Sequence, residues 1–270
     1  DNSTDNEGGL ILWVAIADVT HYIQANSSLD EEALNRGNST YFEDTVVPMM
    51  PEKLSNDLCS LKKGKLRPAI AVKIYINHIG EKIHHEFFQG KIKTFESLSY
   101  DSAQAIYENH QKNHYDAKLK LIIDTMWKLS CLLEERSKTK APLELELSER
   151  KIELSEKGKV LSIKTIEKLQ AHKVIERSMV LANVCAAETL DSNNKHFLYR
   201  VHEPPSKEKV QNLQNISQSL GLKLKNPSNL KASDLNQLQK NASGTEFAHL
   251  VSLNILKSMS QAYYSDKNSG

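Results

Sequence analysis

Eight consecutive apolar residues, 10–17, constrain the fold more than any other stretch of the chain. A run of this length with no polar face at helical spacing predicts a β-strand that is buried on both faces. The run ends at Asp18, and His21 and Tyr22 follow shortly after it. An acid, an imidazole and a phenol at the end of a buried strand indicate a functional site more than a core.

Three irregular segments follow this strand. They are RGNSTYF at residues 36–42, VPMMP at residues 47–51 and LSNDLCSL at residues 54–61. They fit neither one helix nor one sheet, so they predict a long ordered loop built around a fixed geometry.

Together with IADVTHYI at residues 16–23 and with Arg67, these segments resemble the catalytic domain of the ribonuclease II and ribonuclease R family. The resemblance continues through LSY at residues 98–100, a predicted helix at residues 172–187, YRVH at residues 199–202 and LKSM at residues 256–259. It implies a processive, magnesium-dependent 3′→5′ exoribonuclease that releases nucleoside 5′-monophosphates from single-stranded RNA. Two other hypotheses remain: a non-catalytic RNA-binding relative of the family, and an unrelated α+β domain.

We expect a mixed α+β fold, with an antiparallel-rich sheet flanked by long helices and one domain over residues 1–270. Periodicity predicts a hairpin at residues 69–76 and 83–92, a helix of about three turns after residue 101, a helix at 117–136, strands at 143–147, 151–154, 160–165 and 197–202, and helices at 167–190, 206–220 and 246–263. Gly221 is a predicted helix C-cap and residues 226–232 a polar linker.

Composition limits the cellular setting more than the function. The 35 Lys and Arg against 34 Asp and Glu give a net charge of +1, so an RNA-binding surface would have to be a local basic channel. No stretch is long enough for a membrane span, and no cysteine lies in a CxxC pair that would indicate zinc or a disulfide framework. We expect a monomeric protein of the reducing cytoplasm, with single-stranded RNA as its partner.

The predicted helix at residues 167–190 carries an unusual polar stripe. At 100° per residue, His172, Glu176 and Asn183 lie within about 60° of one another and of the small Ala187. Other faces hold residues that can pack: Val174, Ile175, Ala182 and Cys185. A solvated face would usually carry Lys or mixed charges, so this stripe favours a functional face.

The resemblance implies which residues touch RNA. Tyr41 corresponds to the aromatic residue that stacks on a nucleotide beside the cleaved bond; the alternative is a packed loop tyrosine. Tyr100 is implied along the RNA path, and Glu176 at the RNA end. Further candidates are His172 and Asn183 on the stripe, and Arg200 and His202 at a strand end, for which a structural role is an equal alternative.

Two departures from the family pattern leave roles open. Leu145 stands where some members have a clamping Phe, which leaves a second stacking partner in question. Arg177 stands where the family often has a second acid, and it is interpreted as either a surface change or a new phosphate contact.

The resemblance also implies magnesium, held by an aspartate cluster just upstream of the first strand, and a catalytic arginine downstream of the last helix. Asp1 and Asp5 do not reproduce the spacing of that cluster, so no catalytic residue and no metal ligand is assigned. We therefore expect the chain to be cut at both ends of the catalytic domain and to be inactive on its own.

Other residues with reactive or ligating groups receive structural interpretations. Asp18 either binds a ligand or caps the next turn, and the turn is favoured. Cys59 is interpreted as buried packing, because nothing near it indicates a low pKa. The pairs His84–His85 and His110–His114 lack a third ligand nearby and are interpreted as surface residues.

Overall fold

The computed structural model describes residues 6–108, 116–140, 143, 145, 149–155, 158–166 and 168–268. The strands are β1 Leu10–Ala17, β2 Thr40–Tyr41, β3 Val46–Val47, β4 Leu66–Ile76, β5 Lys82–Lys93, β6 Glu149–Leu154, β7 Val160–Ile166, β8 Tyr199–Val201 and β9 Tyr263–Ser265. The helices are α1 Ser28–Arg36, α2 Tyr100–Tyr107, α3 Ala117–Lys140, α4 Gln170–Ser192, α5 Lys207–Ser219, α6 Ala232–Ala242 and α7 Ala248–Ser258.

The fold is mixed α+β with antiparallel sheets, as predicted. Two compact units make up the chain. The first comprises Asp1–Arg136 and Arg150–Ala186, and the second comprises Ser137–Glu149 and Ala187–Gly270.

A three-stranded antiparallel sheet in the order β1-β4-β5 forms the centre of the first unit. The predicted hairpin is β4 and β5, and the Asn77 side chain closes its turn by accepting the backbone N–H groups of Ile79 and Glu81. Gly80 in this turn has φ 82°, and a Cβ there would lie 2.8 Å from the carbonyl oxygen of Leu132. Glycine is therefore required both by the backbone angle and by the close approach of α3.

Strand β1 occupies the residues predicted, but the prediction that both its faces are buried is wrong. On one face, Leu12 is 7% exposed and packs with Val72 and Ile74 against α3 and α4. On the other, Ile11 and Trp13 are 37% and 55% exposed. An antiparallel sheet needs only one covered face, and an apolar run alone does not distinguish it from a parallel strand.

The irregular segments predicted as a long ordered loop contain short regular elements, and a helix for which no prediction was made precedes them. Helix α1 begins at an N-cap, Ser27, whose side chain accepts the N–H of Asp30, and it ends at Gly37 with φ 72°. The short pair β2–β3 and a π-helical turn at Lys53–Leu58 follow. Ser27 and Gly37 are ordinary helix boundary residues, although no prediction was made for residues 28–35.

Helices α2, α3 and α4 pack together in the first unit around a core of Ile106, Leu119, Ile123, Trp127, Ala171 and Val174. The second core of this unit joins the sheet to α3 and α4 through Leu129 and Cys185. Helix α2 spans about two turns rather than three within the described residues. The predicted packing of Val174, Ala182 and Cys185 is confirmed, whereas Ile175 is 38% exposed.

The second unit is a small helical bundle of α5, α6 and α7. Its core consists of Val210, Leu213, Leu224, Leu235, Leu238, Ala242, Val251 and Ile255, with Leu143 and Leu145 packed against it. Gly221 follows α5 with φ 72°, as its predicted role at the helix end requires. Helix α6 was not predicted, and the last helix is shorter than predicted, because Met259 leaves the helical region before β9.

Other predicted elements differ in smaller ways. Strands β6, β7 and β8 correspond to predicted strands, and β6 begins two residues earlier than expected. The predicted strand at 143–147 lies largely outside the described residues. Within the described part of the chain, no helix combines the length and apolarity needed to cross a membrane.

Candidate functional site

Tyr41 lies on an exposed hairpin formed by β2, β3 and their turn, residues 40–47, which we call the Tyr41 hairpin. Only two residue pairs connect its strands, Thr40 with Val47 and Tyr41 with Val46. The Tyr41 side chain is 77% exposed and Phe42 is 59% exposed. Tyr41 is therefore not a packed loop tyrosine, and its ring is accessible to a planar ligand.

Two side chains connect the base of the Tyr41 hairpin across its width. Ser39 Oγ accepts the N–H of Met49 at 2.9 Å. Arg36, the last residue of α1, donates from Nη1 to the carbonyl oxygen of Pro48 at 3.0 Å. Sequence reasoning placed these residues in the resembling segment but gave them no role.

A cavity of about 440 Å³ lies beside the turn of the hairpin. Its lining includes the carboxylates of Glu43, Asp44 and Glu52. Three acids disfavour a phosphate in this cavity, because like charges repel in a partly enclosed site.

Tyr100 and His172, which lie on different helices, form a stacked pair with ring centroids 4.0 Å apart and an interplanar angle of 24°. The same two helices are joined where Gln104 Oε1 accepts the N–H of Ala171 at 3.0 Å. Tyr100 remains 44% exposed, and His172 Nδ1 is buried with no hydrogen-bond partner among the described residues. The structure thus brings together two predicted site residues that helical periodicity could not connect.

The other two members of the α4 stripe face solvent. Glu176 and Asn183 are both exposed, and Glu176 forms an ion pair with Lys168 at 2.7 Å. Both partners of this pair are more than half exposed, so it is a weak and replaceable interaction. The interpretation of this stripe as a functional face stays a prediction.

Arg177 has a role that sequence reasoning did not foresee. Its guanidinium donates to Ser130 Oγ at 2.7 Å and pairs with Glu134 at 2.9 Å, and both partners lie on α3. The side chain is 23% exposed. Arg177 therefore joins α4 to α3, which neither of the two sequence interpretations included. No signal in the sequence linked it to an α3 residue far along the chain.

In the second unit, Arg200 and His202 lie at the end of β8 and are exposed. The Arg200 guanidinium lies over the ring of Tyr264 on β9, 5.6 Å from its centroid. A cation held over an exposed aromatic ring offers both charge and a stacking surface to a nucleic acid. Next to it, burial and the hydrogen bond to Asp191 raise the pKa of Tyr199.

Asp18 is 1% exposed, and each of its carboxylate oxygens has a partner. Gln89 donates to Oδ2 at 2.7 Å and Thr20 donates to Oδ1 at 2.6 Å. These hydrogen bonds, that from Gln89 above all, lower the pKa of Asp18. The geometry supports the structural interpretation, because the carboxylate ties the end of β1 to β5.

The pKa of Cys59 is raised, which agrees with its interpretation as a packing residue and not a reactive thiol. Burial raises the pKa of this thiol, and the positive charge of Arg67 only partly offsets that effect. Cys59 is half-buried rather than buried. Arg67 itself pairs with Asp57 at 2.9 Å and thereby holds the start of β4 against the π-helical turn.

The described residues do not provide a metal site. Among them, no group of three or more His, Cys, Asp or Glu side chains could hold an ion. His84 is exposed and His85 half-buried, with stacked rings. Asp1, Asp5, His110 and His114 lie outside the described residues.

Comparison with known proteins decides the family. Residues 2–270 match the sequence model of the RNB domain. The chain belongs to the RNB domain family. Ribonuclease R of Vibrio parahaemolyticus is 34% identical to this RNB domain over 268 residues, which are 98% of this chain and 32% of that protein.

Solved structures agree with this assignment. Mycoplasma genitalium RNase R in complex with ribose-methylated single-stranded RNA has a TM-score of 0.89 and 28% identity to this RNB domain, covering 95% of this chain and 40% of that one. Yeast Ssd1, described as a pseudonuclease, shares the fold with a TM-score of 0.73 at 18% identity, over 98% of this chain and 31% of its own. The chain spans about a third of the length of the curated relatives it matches.

Proposed function

We propose that this chain is the RNA-handling part of a 3′→5′ exoribonuclease that hydrolyses single-stranded RNA to nucleoside 5′-monophosphates. The observation that carries the proposal is the likeness to RNase R solved with single-stranded RNA, which covers 95% of the chain. Membership of the RNB domain family over residues 2–270 supports the same reaction class.

In this proposal the exposed aromatic rings hold RNA without regard to sequence. Tyr41 stacks on a base near the 3′ end, and Tyr100, supported by the ring of His172, lies along the RNA path. Stacking suits a nuclease that accepts any sequence, because every base presents a π-face. Polar contacts to the RNA come from Glu176, Asn183, Arg200 and His202. With a net charge of +1, phosphate binding depends on such local groups.

Magnesium is proposed as the cofactor from the family alone. The described residues do not fit it: they contain no ligand cluster, and the Asp18 carboxylate is already occupied by Gln89 and Thr20. We derive no catalytic step through the metal. A monomeric state and a cytoplasmic location belong to the same proposal.

A second candidate is a non-catalytic RNA-binding protein with this fold. The likeness to Ssd1, described as a pseudonuclease, favours keeping it, because the fold by itself does not imply cleavage. Both candidates predict RNA binding, and they differ in hydrolysis.

The two activities are measured separately on the purified chain. Fluorescence anisotropy with a labelled single-stranded RNA, and with its duplex and DNA counterparts, is expected to show preferential binding of single-stranded RNA. Release of 5′-mononucleotides with magnesium or with EDTA is expected to be negligible for the chain alone. Absence of RNA binding would contradict both candidates, whereas metal-dependent release would favour the exoribonuclease and contradict the expected inactivity.

A further inference from the structure

The Tyr41 hairpin is too small to hold its own geometry. A two-stranded hairpin is at best marginally stable in water without a further strand or a packed face. This one has two cross-strand pairs, and every residue from Thr40 to Val47 is exposed. No residue of the hairpin, all of which the structure describes, belongs to a hydrophobic core cluster. Something outside the hairpin must therefore fix the orientation of the Tyr41 ring.

The residues at the base of the hairpin provide that constraint. Ser39, Pro48 and Met49 are half-buried, in contrast to the exposed tip. The hydrogen bond from Met49 N–H to Ser39 Oγ spans ten residues, and the one from Arg36 to the Pro48 carbonyl spans twelve. Each joins the chain entering the hairpin to the chain leaving it. Side chains thus take the place of the ladder pairs that a longer hairpin would have.

Neighbouring groups also restrain the two hydrogen bonds at the base of the hairpin, which we call the two clamps. Arg36 also forms an ion pair with Glu32 one turn earlier in α1, at 2.7 Å, but this pair is exposed and adds little. Gly37, at φ 72°, ends α1 and turns the chain toward Ser39. Pro48 restricts its own φ and favours an extended Val47 before it. These restraints act on the two ends of the hairpin, where the chain enters and leaves it.

We infer that Arg36 and Ser39 are positioning residues for Tyr41: they hold the hairpin in the orientation in which the Tyr41 ring receives a base of single-stranded RNA. The inference rests on the proposed function. Neither side chain contacts RNA in this role. Their effect is preorganisation, since a hairpin that swings freely must be ordered at the moment of binding.

A double-mutant cycle on the purified chain tests this inference. The probe is a fluorescein-labelled single-stranded RNA with 2-aminopurine at its 3′ end, so that anisotropy reports affinity and quenching of 2-aminopurine reports stacking. Ser39→Ala is expected to weaken binding about 2- to 10-fold and to reduce quenching, as loss of one constraining hydrogen bond would. In a Tyr41→Ala background the same change is expected to alter affinity less than about 2-fold, because its effect acts through the ring.

Matched variants separate positioning from folding. Ser39→Thr keeps the hydroxyl and is expected to restore quenching, and Arg36→Ala is expected to behave like Ser39→Ala. Ser55→Ala is the control, because the hydrogen bonds of its hydroxyl go to residues close along the chain, Pro51 and Asn56. The melting temperature is expected to stay unchanged in all of them.

Three outcomes would overturn the inference while leaving the proposed function intact. In the first, Ser39→Ala and Arg36→Ala keep wild-type affinity and quenching. In the second, Ser39→Ala loses the same affinity whether Tyr41 is present or replaced by Ala. In the third, the melting temperature of the variants falls enough to account for the lost affinity. A wild-type chain that does not bind the RNA would instead overturn the proposed function, and the inference with it.

Discussion

The RNA-stacking role that the family resemblance implies for Tyr41 requires an accessible ring, and the structure shows one. This ring is 77% exposed on a hairpin that contributes nothing to a hydrophobic core. Exposure alone does not assign a role, because many other large apolar side chains of the described residues are also exposed. The RNA contact proposed for Tyr41 rests on the family resemblance, and exposure makes the ring accessible for it.

Replacement of this ring should affect RNA binding and leave the fold unchanged. Tyr41→Ala is expected to lose roughly 1–3 kcal/mol of RNA binding, whereas Tyr41→Phe and Tyr41→Trp retain most of it because the π-face carries the contact. RNA affinity and melting temperature are measured on the same variants. A lower melting temperature with unchanged affinity would show that the ring serves the fold instead.

Asp18 should make the stability of the first unit depend on pH at the acid end. The pKa of Asp18 is lowered in the folded state from its ordinary value of 3.8. At pH values between the folded pKa and 3.8, the folded protein therefore binds fewer protons than the unfolded chain. The stabilisation is present above pH 3.8 and is lost as pH falls through the folded pKa. Asp18→Asn is expected to flatten the fall in the free energy of unfolding as the pH is lowered below 3.8, as measured by urea denaturation.

Other carboxylates with lowered pKa values provide the comparison. Glu96 accepts from Lys63 and from a backbone N–H, and its pKa is also lowered. Glu96→Gln should remove a smaller part of the pH dependence, because the Glu96–Lys63 pair lies at the surface, where screening weakens it. An unchanged pH profile in Asp18→Asn would show that the hydrogen bonds from Gln89 and Thr20 do not depend on the charge.

At the scale of elements, a polar bridge joins α3 and α4 beside their apolar core. Arg177 donates to Ser130 Oγ at 2.7 Å and pairs with Glu134 at 2.9 Å. Hydrogen bonds to a charged group that is mostly buried are worth more than those of exposed pairs. The bridge adds to the apolar packing of Val174 and Cys185, which holds α4 against the core.

Arg177→Ala is therefore expected to reduce the free energy of unfolding by about 1–3 kcal/mol. Lys164→Ala is the control, since its ion pair with Glu153 is exposed and contributes about 0–1 kcal/mol. Urea denaturation measures both variants. If Arg177→Ala instead left stability unchanged and weakened RNA binding, the arginine would be a phosphate contact and not a bridge.

At the scale of the whole molecule, the chain contains two compact units with separate cores. Leu238 is fully buried in the bundle of α5, α6 and α7, and Ile74 is fully buried under the central sheet. Each core can therefore be weakened by a substitution that does not touch the other.

Leu238→Ala is expected to reduce the stability of the second unit by about 2–5 kcal/mol, because the cavity it leaves collapses only in part. Hydrogen exchange should quicken first in α5, α6 and α7. Ile74→Ala is the matched control and should quicken exchange first in β4 and β5. The same exchange pattern in both variants would show that the two units open together.

Local patterns in the sequence were enough to predict the elements that depend on neighbours along the chain. The β4–β5 hairpin follows from two apolar segments around a turn of Asn and Gly, and the existence of α4 from its 3.6-residue period, although its ends differ from the prediction by two to three residues. The family followed from short segments in a fixed order, because those segments carry side chains that a common geometry requires.

Tertiary structure decided everything that depends on contacts between distant residues. It placed Tyr100 on His172, turned Arg177 toward α3, and left the second face of β1 exposed. Arg36 and Ser39 belong to this class as well, since their partners lie twelve and ten residues away on the far side of a hairpin. Periodicity specifies which face of an element a residue occupies. It does not specify what meets that face, because packing and hydrogen bonding across the fold are settled only when all elements are in place.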